Sequence, residues 1–324
     1  MELWIPITIF AAFCQNLRSA LQKHLKGALG TTGATFIRFG YGFPFALLYV
    51  ATLHFLAGYE LPAVNHYFLM AAAFGGLAQI IATFLLVSVF SFRNFTVGTA
   101  YSKTEPVQAA LFGLVLLGET VTLPAAIAIM TGVFGVILIS LSKTPDSWRD
   151  LASALLSRPA MIGLASAAFF GASAAAYRAA SLSLGGPGFL MQAAFSLACV
   201  TLFQTVVMAT WMAWKEPDQL SASFRNWRPS IWVGFAGVAG SIGWFTAMTL
   251  QQVAYVRALA QIELVFTVAA SWLFFRETLK RNELLGSCLI VLSVVAIILI
   301  RRVVITLNRA IQTGCNLRIE HDNL

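Results

Sequence analysis

Lys103 and Glu105 lie near the middle of Val97 to Thr120, VGTAYSKTEPVQAALFGLVLLGET, a stretch long and apolar enough to cross a bilayer. Insertion scales put an ionised group at that depth at roughly 2.5 to 3.5 kcal/mol, so the fold must compensate, and a functional role is the default reading. Helical side chains two residues apart point about 200° away from each other. Lys103 and Glu105 therefore cannot neutralise each other directly, and each needs a partner on another helix, a polar ligand or a wet cavity. Ser102, Glu105 and Gln108 share a face, and Pro106 should loosen the hydrogen-bond ladder just after Glu105. The chemistry open to such a group is binding rather than bond-breaking. Lys103 would attract an anionic group such as a carboxylate, while Glu105, or Glu263 in a second apolar stretch, would bind an amine or exchange a proton. The structural alternative has Glu105 and Glu263 pairing with Arg38, Arg178 or Lys103 to fix helix contacts.

Other polar residues fall at helical spacing in apolar surroundings. Gln15, Arg18 and Gln22 form one stripe, and Gln79 and Thr83 another. Ser166, Ser173, Tyr177 and Ser181 lie near one face of a later helix. Ser241, Phe245, Thr249 and Gln252, with Trp244 beside them, are placed to line a pocket. The candidate substrate-binding set is Lys103, Glu105, Glu263, Gln79, Tyr177, Trp244, Gln261 and Gln15. Arg18, Arg38 and Arg178 lie within two turns of a span end and are read as snorkelling to the interface. The bland reading of the Gln, Ser and Thr stripes is helix–helix contact.

The chain of 324 residues is 59% hydrophobic and 10% charged, against about 25% charged in soluble domains, which defines a polytopic membrane protein. The four Asp fall in loops or the tail, and there is no HExxH, Walker loop or nucleophile elbow, which argues against an embedded enzyme. The four Cys show no CxxC pairing, so neither a disulfide framework nor a zinc site is indicated, and no metal or cofactor is expected. The net charge of +8 is dispersed at the ends of apolar runs, a placement suited to lipid headgroups and not to nucleic acid. The expected partners are a small-molecule substrate, the lipid bilayer and protons, in a monomer or homodimer of the cell (inner) membrane.

A span of about 20 apolar residues gives ten candidates: 3–21, 33–56, 67–90, 97–117, 122–141, 160–182, 188–213, 230–250, 255–275 and 282–300. The opening MELWIPITIFAAFCQNL lacks a basic n-region and reads as a retained first span. Pro44 should kink the second span. Small residues at four-residue spacing, Ala71 with Gly75 and Gly163, Ala167, Gly171 and Ala175, mark close helix contacts. Glu119 and its counterpart Glu277 read as caps at helix starts. Residues 142–159 read as an interfacial linker, the run from Lys215 to Pro229 as a polar loop, and 302–324 as a polar tail.

The two halves repeat. Val97 to Ser140 set gaplessly against Tyr255 to Ile298, 158 residues later, gives eight identities in 44 positions, including Glu105 with Glu263 and Glu119 with Glu277. Two coincident acids are hard to dismiss in a chain with so few. A unit of five spans ends on the opposite side from its start, so the second copy, residues 160–301, inserts upside down relative to the first, residues 1–141. That is an architecture of secondary transporters, with the substrate site between the repeats.

In these features, Glu-Pro or Glu-Leu in mid-span, then GET or RET, then a further apolar helix, the chain resembles the EamA-type families of the drug/metabolite transporter superfamily. The likeness covers nearly the whole chain and is strongest over Phe90 to Ile139 and Met248 to Ile297. The resemblance implies an all-α bundle of ten transmembrane helices in two inverted five-helix repeats, with export or exchange of a small metabolite by alternating access without ATP. A lipid flippase on the same fold is the alternative; it should open laterally between helices, whereas a metabolite carrier should enclose its polar residues. The commoner pattern has a neutral residue before the mid-span proline, so Lys103 and Glu105 depart from it. Phosphate-sugar branches of the superfamily use basic residues in related helices, a loose analogy to Lys103.

Overall fold

A computed structural model describes residues 2–89, 91–92, 101–141, 157–186, 188–266, 268 and 281–321, with side chains described as far as Ile300 and at Val303. Among these residues there is helix and no strand. The elements are α1 Trp4–Gly40, α2 Phe43–Ala51 with a π-helical turn Thr52–Leu56, α3 His66–Val89, α4 Glu105–Leu117 and α5 Leu123–Leu141. They continue with α6 Arg158–Ser183, α7 Phe189–Lys215, α8 Pro217–Arg225, α9 Trp227–Leu250, α10 Val253–Ala260 and α11 Arg281–His321. Among the described residues six stretches, Trp4–Leu56, α3, α6, α7, α9 and Arg281–Ile300, are long and apolar enough to cross a membrane.

The exterior carries many large apolar side chains. Met70, Val115 and Leu48 are 73%, 78% and 63% exposed, as expected where the solvent is lipid tails. With no hydrophobic drive between helices in that medium, association depends on close backbone approach. A Cβ on Gly171 would lie 2.9 Å from the backbone nitrogen of Ala109, and one on Gly75 would lie 2.7 Å from the Tyr177 ring. The small-residue spacings in α3 and α6 thus mark real contacts. On α11, a Cβ at Gly286 would come within 2.5 Å of the Gly135 carbonyl oxygen of α5.

α1 packs along α9, α3 along α6, and α5 along α11. A shift of 158 residues carries α1 onto α6, α3 onto α9 and α5 onto α11, so the first two pairings exchange with each other and the third maps onto itself.

Several boundaries differ from the sequence reading. The first helix does not stop at 21 but runs to Gly30, whose φ of 68° turns the chain within α1. The Gln219 side chain seals that turn: its Oε1 accepts from the Gly33 N–H at 3.1 Å and would lie 2.4 Å from a Cβ at Gly30. Gln219 belongs to α8, so the stretch read as a polar loop contains a nine-residue helix, with Pro217 and Asp218 in its first turn. Pro44 does interrupt the second span, in the first turn of α2 after a turn at Tyr41 and Gly42. Helix α11 continues to His321, through most of the tail. Most of the 142–159 linker, and Glu277, lie outside the described residues.

Candidate functional site

Two helices break at matching positions. Tyr101 and Ser102 are helical, the chain turns at Lys103 and Thr104, and α4 restarts at Glu105 with Pro106 in its first turn. Pro106 lacks the N–H an uninterrupted helix would use. The Thr104 hydroxyl donates to the Tyr101 carbonyl at 2.7 Å and accepts from Gln108 Nε2 at 3.1 Å, which ties the break together. In the second half α10 ends at Ala260, the chain turns at Gln261, and helix resumes at Ile262. At the 158-residue offset Gln261 is the counterpart of Lys103, and Glu263 that of Glu105.

The charges at the breaks pair across the halves. Lys103 of the first half holds Glu263 of the second. Glu105 of the first approaches Arg257 of the second at 3.0 Å. The latter contact is a charge contact without hydrogen-bond alignment, since neither Glu105 Oε1 nor Arg257 Nε has a hydrogen-bond partner. The Arg257 guanidinium also lies 4.5 Å from the Trp244 ring centroid, a cation–π distance.

These groups surround a cavity of about 220 Å³. Of the eight candidate residues, Gln15, Gln79, Lys103, Glu105, Tyr177 and Trp244 line it. Gln261 and Glu263 line an adjoining cavity of about 20 Å³, shared with Gln15, Lys103 and Glu105, which has room for about one water. Gln79 and Tyr177 also brace the wall. The Tyr177 hydroxyl donates to Gln79 Oε1 at 3.0 Å, Gln204 Nε2 donates to the same oxygen at 2.9 Å, and the Tyr177 ring stacks on Phe245 at 4.5 Å.

Three arginines need correction. Arg18 and Arg38, read as snorkelling, are 3% and 6% exposed and line the main cavity. The extension of the first helix to Gly30 puts Arg18 near its middle, out of reach of an interface. Arg178 is likewise no snorkeller: it pairs with Glu119 and donates to the carbonyls of Met248, Thr249 and Gln251 at the end of α9. The capping role read for Glu119 gives way to this ion pair, which no local pattern signals. The sequence reading also missed Arg257 as a site residue. Its distance of six residues from Glu263, within one apolar stretch, was the available signal.

An apolar-surfaced helical protein with its charges gathered around a cavity between two repeated halves is a multi-pass membrane transporter. The chain belongs to the EamA-like transporter family, whose model matches residues 2–141 and 157–299, once on each half. Its members are transporters of the drug/metabolite type, not enzymes. None of the curated proteins compared with the chain matches it. Among 25 chains of known structure that match, one crystal structure superposes with a TM-score of 0.68 at 15% identity, over 92% of this chain and 97% of that one, a likeness of fold.

Proposed function

We infer that the protein is a secondary transporter of a small polar or amphipathic metabolite. It works in the cell membrane by alternating access between two inverted five-helix repeats that make up ten spans. The observation that carries this reading is the pair of ionic contacts, Lys103 with Glu263 and Glu105 with Arg257, that cross between the halves at helix breaks of the same register. Charges held at broken helices near the bilayer midplane are where carriers of this architecture bind substrate and coupling ions. The exchange of helix pairings between the halves supports inversion. The enclosure of the polar side chains around a central cavity supports a metabolite carrier.

In this reading Gln15, Gln79, Lys103, Glu105, Tyr177, Trp244, Gln261 and Glu263 form the walls that substrate meets, and Glu105 and Glu263 are the groups that would exchange a proton. Counterflow in proteoliposomes tests it, with panels of amino acids, organic anions, phosphorylated sugars and cationic drugs, repeated with Lys103→Ala and Glu105→Gln. Loss of flux in both variants is expected. Parent-like transport by both would refute the central site, and flux indifferent to a pH gradient would remove the proton alone.

A further inference from the structure

The two acids that line the cavities are already engaged: Glu263 holds Lys103, and Glu105 holds Arg257. Two guanidiniums remain. Among the described residues no carboxylate pairs with Arg18 or Arg38, although Glu105 acts on Arg38 through space. The two side chains run side by side across Gly237: a Cβ there would lie 3.4 Å from Arg18 Cδ and 3.5 Å from Arg38 Cγ. The missing side chain at Gly237, where the first half carries Gln79, makes the room for both stems. Arg38 Nη1 donates to the Thr83 hydroxyl at 2.9 Å, and Arg18 Nη2 donates to Ser19 at 3.2 Å. Arg18 Nη1 is buried with no partner.

The same imbalance recurs elsewhere in the cavity wall. The indole N–H of Trp244, a residue 4% exposed, is also buried and unpartnered. Buried polar groups are nearly always satisfied, and an unmet donor in low dielectric is costly. Neither guanidinium nor indole N–H can accept a hydrogen bond. What would satisfy both is a group rich in acceptors that also offsets two like charges, and that is an oxyanion. Phe170, Tyr177, Phe245, Met248, Leu86 and Leu264 make an apolar and aromatic part of the wall, beside polar Asn16, Ser102 and Ser241. A volume of about 220 Å³ equals roughly seven waters, below the ~300 Å³ at which drug-sized sites begin.

We propose that Arg18 and Arg38 form an oxyanion subsite, and that the substrate is a small organic anion whose carboxylate or phosphate docks there and accepts from the Trp244 N–H, with its apolar body toward Phe170 and Phe245. The proposal rests on the carrier reading and moves the anion-binding role from Lys103, which is occupied by Glu263, to the arginine pair.

The test is the thermal stability of the purified full chain, titrated with benzoate, succinate and inorganic phosphate, with ethylammonium as the cationic control. Arg18→Gln, Arg38→Gln and Arg18→Lys are compared with the parent. At least one oxyanion should raise the melting temperature saturably and ethylammonium should not; benzoate against phosphate separates the carboxylate from the phosphate source. Either Gln variant should bind that anion roughly 30- to 4,000-fold more weakly, the range for removing one partner of a buried charge pair. Arg18→Lys, which keeps the charge and loses the planar fork, should fall between. Without anion the Gln variants should melt no lower than the parent, because two crowded cations are relieved; arginines that merely hold helices together would give a lower melting point instead. No oxyanion response in the parent, or an equal response in both Gln variants, overturns the proposal. The carrier reading fails separately, if Lys103→Ala and Glu105→Gln transport like the parent.

Discussion

The Lys103–Glu263 contact joins the two helix breaks, and Glu263→Gln should expose how much it holds. Removing one partner of a fully buried ion pair costs about 3–5 kcal/mol, because the other charge is left unmatched. The Lys103 side chain retains 24% of its surface, against 3% for Glu263, so water at the cavity reaches the ammonium and screens it. That brings the expected loss to about 1–3 kcal/mol, between the exposed and the buried limits. The assay is equilibrium unfolding in mixed micelles of four proteins: parent, Lys103→Gln, Glu263→Gln and the double variant. The double variant should recover most of the loss, because two amides replace an unmatched charge and can hydrogen-bond to each other. It also gives position 103 the residue that position 261 already carries. The coupling energy of the cycle should therefore be about 1–3 kcal/mol. If Glu263→Gln destabilises the Lys103→Gln background as much as the parent, the contact between the breaks contributes nothing and the reasoning fails.

Two further outcomes follow from contacts away from the cavity. Arg178→Ala removes the Glu119 pair and the donors to three carbonyls at the end of α9. It should lower stability by about 3–5 kcal/mol in the same unfolding assay, with Arg178→Lys restoring only part, since a point charge cannot reach several acceptors at once. Gly286→Ala would bring a methyl within 2.5 Å of the Gly135 carbonyl oxygen. Backbone cannot yield there, and a loss of about 1–3 kcal/mol is expected; parent-like stability would mean that α5 and α11 are held apart.

What the sequence made legible was set by local rules, and what it hid was set by distance along the chain. Helical periodicity and hydropathy marked the apolar elements, and the scarcity of acids made Glu105 and Glu263 stand out as a repeat. Pro106 announced the first break by its missing N–H. The second break has Leu264 in the same place, so only the repeat pointed to it. Arg18 was misread because Gln22, Lys23, His24 and Lys26 look like the end of a span, whereas the helix carries them on to Gly30 and leaves Arg18 near mid-helix. Arg178 and Glu119 are 59 residues apart, and no pattern in either neighbourhood announces the other. The 200° argument required partners for Lys103 and Glu105 on other helices; the sequence offered Lys103 with Glu263 among several pairings, and packing selected it and supplied Arg257 for Glu105.

The two breaks match in register but not in chemistry: one turns at a cation, the other at an amide. In a carrier built from two identical inverted halves, opening to one side of the membrane would be the reflection of opening to the other, and the empty protein would spend equal time in each. Lys103 opposite Gln261 removes that equality. On the alternating-access reading proposed above, the ammonium would need its carboxylate in both arrangements while the amide would not, so the unloaded protein would rest on one side, a bias carried by the side chains at the breaks before any gradient is applied.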